Sequence, residues 1–203
     1  MILNELQLSA LTEISNVGLG HAATALSTMM GKDIQIDVPN LDSVPISAVD
    51  RYFESPESEI VGVYLPFDGD VNGNLACLFD WSSAVNLWET LLGSAPETAA
   101  DVDELYASVM LEVGNILTGN FLNAIADMTN LRMLATPPTV GVECAYTVVS
   151  TIICQAEYTD AIALAVETCL YSESHSITGY CMFIPDRPGL SLLLDRLGVA
   201  DVA

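Results

Sequence analysis

Ser9-Ala-Leu-Thr-Glu13-Ile-Ser-Asn16 is followed, after 22 residues, by Pro39, and Ser108-Val-Met-Leu-Glu112-Val-Gly-Asn115 is followed, after the same spacing, by Pro138. The offset is 99 throughout, so Gly20 pairs with Gly119, Ala25 with Ala124 and Met29 with Met128. Seven of 31 aligned positions are identical without a gap. The count is low, but polar residues match as well as apolar ones. The chain therefore reads as an internal duplication, about 1–98 and 99–203, within a single domain.

The spacing predicts a helix in each copy. Ser9, Glu13, Asn16 and Gly20 fall on one face, and Leu11, Ile14, Gly18, Ala22, Ala25 and Met29 form an apolar stripe roughly opposite. The second copy repeats this with Ser108, Glu112, Asn115 and Gly119 against Met110, Val113, Leu117, Phe121, Ala124 and Met128. Asn4 with Gln7 and Asp101 with Glu104 have capping-box spacing, and Gly31 and Asn130 suit the left-handed residue past a helix end. An exposed Glu and Asn on a helix are ordinarily solvated surface. Folding a duplicated core requires matching apolar positions, but nothing about folding requires matching exposed polar ones.

The pattern Ser-x3-Glu-x2-Asn-x22-Pro, complete in both copies, resembles the signature of the CheC, CheX and FliY phosphatases of chemotaxis. The run Asn115-Ile-Leu-Thr-Gly119 and the stretch from Pro39 to Ile46 are also similar to CheC. The resemblance runs end to end, and two full motifs favour CheC over relatives that keep one. It implies an α+β fold with pseudo-twofold symmetry, in which two long helices pack on a shared antiparallel β-sheet. It also implies a substrate: CheY, a receiver protein phosphorylated on aspartate, which holds its own Mg²⁺. This chain is then expected to bind no cofactor or metal. A further partner implied by the resemblance is CheD, a receptor deamidase, and the alternative reading is a non-catalytic adaptor that binds CheD, phosphorylated CheY or both. A structural role in the motor switch is the third reading, and the FliY resemblance carries it.

Charge narrows the partners. Asp and Glu number 27 against 5 Lys and Arg, a formal net charge of −22, and Lys32 is the single lysine. Nucleic acid and anionic membrane would repel such a chain. A 51% hydrophobic content argues against disorder. An apolar interior under an acidic, lysine-poor skin suits a salt-rich cytoplasm, and a halophilic source is expected. Met1-Ile-Leu-Asn-Glu has no basic start, and no apolar run reaches the roughly 20 residues of a membrane span, so the expected compartment is cytoplasm. Cys77, Cys144, Cys154, Cys169 and Cys181 lie in apolar runs and read as buried reduced thiols.

Outside the repeated helices, Asp33 to Val38 reads as a strand and Asn40 to Glu59 as a long acidic connection. Ile60–Pro66 with Gly73–Phe79 and Ile162–Tyr171 with Ile177–Ile184 read as hairpins. Trp81–Leu92 and Pro188–Leu197 read as helices, and Leu131–Ala135 as a short strand. Val142 to Glu157 is ambiguous between strand and helix. Asp68-Gly-Asp-Val-Asn-Gly73 lacks the terminal Glu of a calcium loop and reads as a turn.

An aspartyl phosphate hydrolyses unaided, so a helper need only orient water in line with phosphorus and hold charged groups aligned. A carboxamide has a donor, an acceptor and no charge, which suits Asn16 and Asn115 to the water. The resemblance implies that Glu13 and Glu112 pair with a receiver lysine. Ser9 and Ser108, one turn back, are candidate rim contacts. Pro39 and Pro138 are candidate substrate contacts as well, though as loop prolines they more simply fix the chain beyond each helix. His21 lies about 140° round from Asn16 and shares no face with it. No nucleophile elbow, His-x3-His pair or Gly-Lys-Ser/Thr phosphate loop occurs in the sequence.

Overall fold

The computed structural model describes residues 3–38, 40–155, 162–171 and 176–200. Two helices of 26 residues, α1 (Glu5–Met30) and α3 (Glu104–Thr129), begin and end 99 residues apart. At the start of α1, the Asn4 side chain accepts from Gln7 N at 2.9 Å and Gln7 Oε1 accepts from Asn4 N at 3.0 Å. Gly31 and Asn130 close the two helices in the left-handed conformation, at φ 62° and 55°. The expected cap at Asp101 is corrected. Asp103, the true 99-offset partner of Asn4, accepts from Leu105 N and Tyr106 N, whereas Asp101 closes a short 3-10 turn with Thr98. Two acidic residues two apart compete for the cap, and the nearer one wins.

One eight-stranded antiparallel sheet holds both halves. Its strands are β1 (Gln35–Asp37), β2 (Leu41–Pro45), β3 (Glu59–Gly69), β4 (Gly73–Asp80), β5 (Met133–Ala135), β6 (Thr139–Cys144), β7 (Ile162–Tyr171) and β8 (Ser176–Pro185). The hairpins β3–β4 and β7–β8 join through β4 and β8 at the centre. The short strands are exchanged: β1 and β2 of the first half pair with β7 of the second, and β5 and β6 of the second pair with β3 of the first.

Both faces of the sheet are covered, which explains why its strands read as continuous apolar runs. Val61, Val63, Leu65 and Phe67 of β3, with Leu75, Cys77 and Phe79 of β4, face the larger core under α1, α3, α2 (Trp81–Leu92) and α5 (Arg187–Arg196). Ile60, Ala76, Leu78, Ala163, Ala165 and Met182 face a smaller core on the other side. That core is closed by α4 (Ala145–Gln155) and by a 3-10 helix, Ile46–Tyr52. Asn40 to Glu59 is thus more than a connection. It carries β2 and this 3-10 helix, because Val44, Ile46 and Val49 supply apolar residues for the second core. The ambiguous stretch from Val142 divides at Cys144, strand before and helix after.

Three further expectations are revised. Cys77, Cys169 and Cys181 are buried, but Cys144 is half-buried and Cys154 exposed. Met29 and Met128 are each 44% exposed, since both stripes outrun the core at the last helical turn. By length and composition α3 could cross a membrane; half of that window is buried, against α1 and the sheet.

Glycine sets how closely the layers approach. A Cβ on Gly18 would stand 2.8 Å from Phe121 Cα and 3.2 Å from Ala124 Cβ, so α1 and α3 meet backbone to backbone there. A Cβ on Gly114 would stand 2.5 Å from Val63 Cγ1, so the Val63 side chain of β3 packs directly on the α3 backbone.

On the surface, Arg51 bridges Asp42 at 2.8 Å. With five basic residues against 27 acidic ones, most carboxylates have no counter-charge to pair with. Salt should relieve that repulsion. We expect Tm to rise by several degrees between 0.1 M and 2 M KCl; a Tm that stays flat or falls would remove the halophilic reading.

Candidate functional site

The exposed flanks of α1 and α3 carry the duplicated polar residues. Ser9, Glu13, Asn16 and Gly20 are exposed along α1; Ser108, Glu112 and Asn115 are exposed along α3, with Gly119 half-exposed. Burial explains why they face outward. Leu11, Ile14, Leu19, Ala22 and Leu26 on α1, and Met110, Val113, Leu117, Phe121 and Ala124 on α3, are all buried. Removing those side chains from water fixes the rotation of each helix and leaves the Glu/Asn flank outside.

Each Glu precedes its Asn by three residues, so the two side chains are neighbours about one turn apart. Among the described residues, no hydrogen bond or ion pair ties up Glu13, Asn16, Glu112 or Asn115. Their polar atoms face solvent and need no internal partner. Ser108 Oγ donates to the Leu105 carbonyl at 3.1 Å and stays exposed. Gly18, the point of closest approach to α3, comes two residues after Asn16 and hence about 200° round the helix. The helix contact therefore lies behind the polar flank of α1 rather than across it.

Pro39 lies outside the described residues. Pro138 is half-buried in the link between β5 and β6, where Thr136 donates from its N and Oγ1 to the Pro66 carbonyl at 2.8 and 3.0 Å. It stands at the sheet edge and not on the helix flank. His21 is exposed beside Gly20.

The sequence reading missed one matched pair. Leu6 and Leu105 are 99 apart and stand 63% and 56% exposed. Each lies one turn before the serine, on the same flank as the Glu and Asn. The signal was available: the repeat extends upstream through Glu5-Leu6 and Glu104-Leu105. Each helix thus presents an apolar, hydroxyl, carboxylate, carboxamide and bare-backbone position in succession, over about 21 Å.

The family model of the CheC-like family matches this chain twice, over residues 6–42 and 107–142, and each match holds one copy of the motif. The CheY-P phosphatase CheC of Bacillus subtilis is 25% identical over 202 residues, covering 98% of this chain and 97% of that protein. The flagellar motor switch phosphatase FliY of the same organism is 24% identical over 139 residues, 68% of this chain but 36% of FliY. The crystal structure of Thermotoga maritima FliY superimposes with a TM-score of 0.79 at 20% identity, covering 99% of this chain and all of that one.

Proposed function

We propose that this chain, whose two motif-bearing segments match the CheC-like family model and which is similar along its length to the CheY-P phosphatase CheC, is a phosphatase acting on the aspartyl phosphate of a CheY-type receiver. One observation carries the reading: an exposed, unpartnered Glu/Asn pair occurs at the same register on both long helices.

The reaction asks little of this chain. Water attacks phosphorus, the P–O bond to the receiver aspartate breaks, and the products are inorganic phosphate and the free carboxylate. Mg²⁺ would be held by the receiver and not by this chain, and when bound there would supply charge neutralisation for the phosphoryl group. Asn16 or Asn115 accepts a hydrogen bond from the water through its amide oxygen and holds it in line. A neutral carboxamide does this without repelling the phosphoryl group, as a carboxylate would. Glu13 or Glu112, one turn away, attracts a receiver lysine and sets the register of docking. Leu6 and Leu105 give the rim an apolar contact, with Ser9 and Ser108 between. Pro138, in the link between β5 and β6, is left with fixing the chain there.

The test follows radiolabelled phosphate on a purified receiver, with and without this protein. The wild-type chain is expected to shorten the phosphate lifetime. Asn16→Ala and Asn115→Ala, made singly, should each retain part of that acceleration, because the sites stand on separate helices. An unchanged lifetime would defeat the phosphatase reading. If tight receiver or CheD binding accompanied it, the non-catalytic adaptor would be the better description.

A further inference from the structure

Resting on the phosphatase reading, we infer that Gly20 and Gly119 are positioning residues, keeping the helix surface bare so that the phosphorylated receiver can close down on the neighbouring Asn.

Each glycine follows its Asn by four residues and so lies on the same flank, one turn on. Glycine is the poorest helix former after proline, so its presence inside a helix needs a reason. Backbone conformation supplies none: positive φ values occur at Gly31, Gly69, Gly93 and Gly198, not here. Packing supplies none either. A Cβ built on Gly20 or on Gly119 meets no atom within 4 Å. The same helices offer the contrast, since Gly18 and Gly114 are each pressed against a neighbour that a Cβ would strike. Those two have no glycine at the equivalent position of the other copy, where Leu117 and Ser15 stand. The glycines that packing requires are not duplicated, and those that packing does not require are.

The requirement therefore comes from outside the chain. Asn has a short side chain, so any water it orients lies close to the helix backbone. The phosphoryl group and the receiver backbone around it must approach equally closely. A side chain one turn away on the same flank would stand about 5–6 Å from the Asn Cβ, within the footprint of that approach. Hydrogen at this position leaves the footprint open.

The two readouts should move in opposite directions. Gly20→Ala with Gly119→Ala should raise Tm by about 2–8 °C, since helix propensity improves and nothing clashes. The same variant should lose acceleration of receiver dephosphorylation on the order of 10-fold, and Gly20→Leu with Gly119→Leu on the order of 100-fold. A purely structural glycine would lose stability and activity together. If the wild-type chain shortens the phosphate lifetime and the folded Leu double variant does so equally well, the positioning role is wrong and the phosphatase reading stands. If the wild-type chain itself has no effect, both fall.

Discussion

Replacing Asn16 and Asn115 together by Ala should return the receiver's phosphate lifetime to its unassisted value, while Tm stays where it was or rises slightly. The assisted component is expected to drop on the order of 100-fold or more, because an unheld water loses the in-line geometry on which the acceleration depends. Stability should hold because both side chains are exposed and have no internal partner. Surface changes of that kind shift stability by no more than about 0.5 kcal/mol, and Ala is a better helix former than Asn. Receiver binding should persist in part through Glu13, Glu112 and the leucine rim. Asn→Asp at both positions is the sharper control. It keeps the shape but adds a negative charge beside the phosphoryl group, and should be as inactive as Ala. A double variant with full activity would mean that some other group holds the water.

The second large effect is on stability. Gly18→Leu would give the first copy the residue that the second carries at Leu117. Sequence symmetry makes the change look harmless. The structure makes it costly, because a Cβ would lie 2.8 Å from the Phe121 backbone and the helices would have to separate. Overpacking of this kind costs about 3 kcal/mol, which for a chain of this size lowers Tm by about 6–12 °C. Gly20→Leu, two residues away, should leave Tm unchanged or raise it slightly, because a Cβ there meets nothing within 4 Å. A thermal melt of the two variants side by side decides the matter, and equal stability would mean that the close crossing of α1 and α3 is wrong.

The parts of the fold legible from sequence were those with a period and a boundary. The helices declared themselves through the Leu11–Ile14–Gly18–Ala22 stripe and through Gly31 and Asn130. The β3–β4 and β7–β8 hairpins declared themselves through apolar runs broken by turns. The second core did not, because three of its first-half residues, Val44, Ile46 and Val49, are scattered through an acidic stretch. No short-range rule tells a half-buried 3-10 helix from a loop there. Strand exchange was hidden for a different reason: β1 and β5 have three residues each and take their partners from across the chain. The Glu/Asn flank was legible only through the repeat. One copy alone would have been indistinguishable from ordinary wet surface. Leu6 and Leu105 are harder to read, because a leucine in the first turn of a helix is ordinarily buried and only exposure marks these two as surface.

The swapped edge strands bind the fates of the two halves. Because β2 completes the second hairpin and β6 completes the first, melting either half strips a border from the other. If both flanks act on a receiver, one cannot be silenced by loosening its own support while its twin goes on working. Any control that singles out one of them must come from above, as a competitor laid over that helix, and not from within the scaffold.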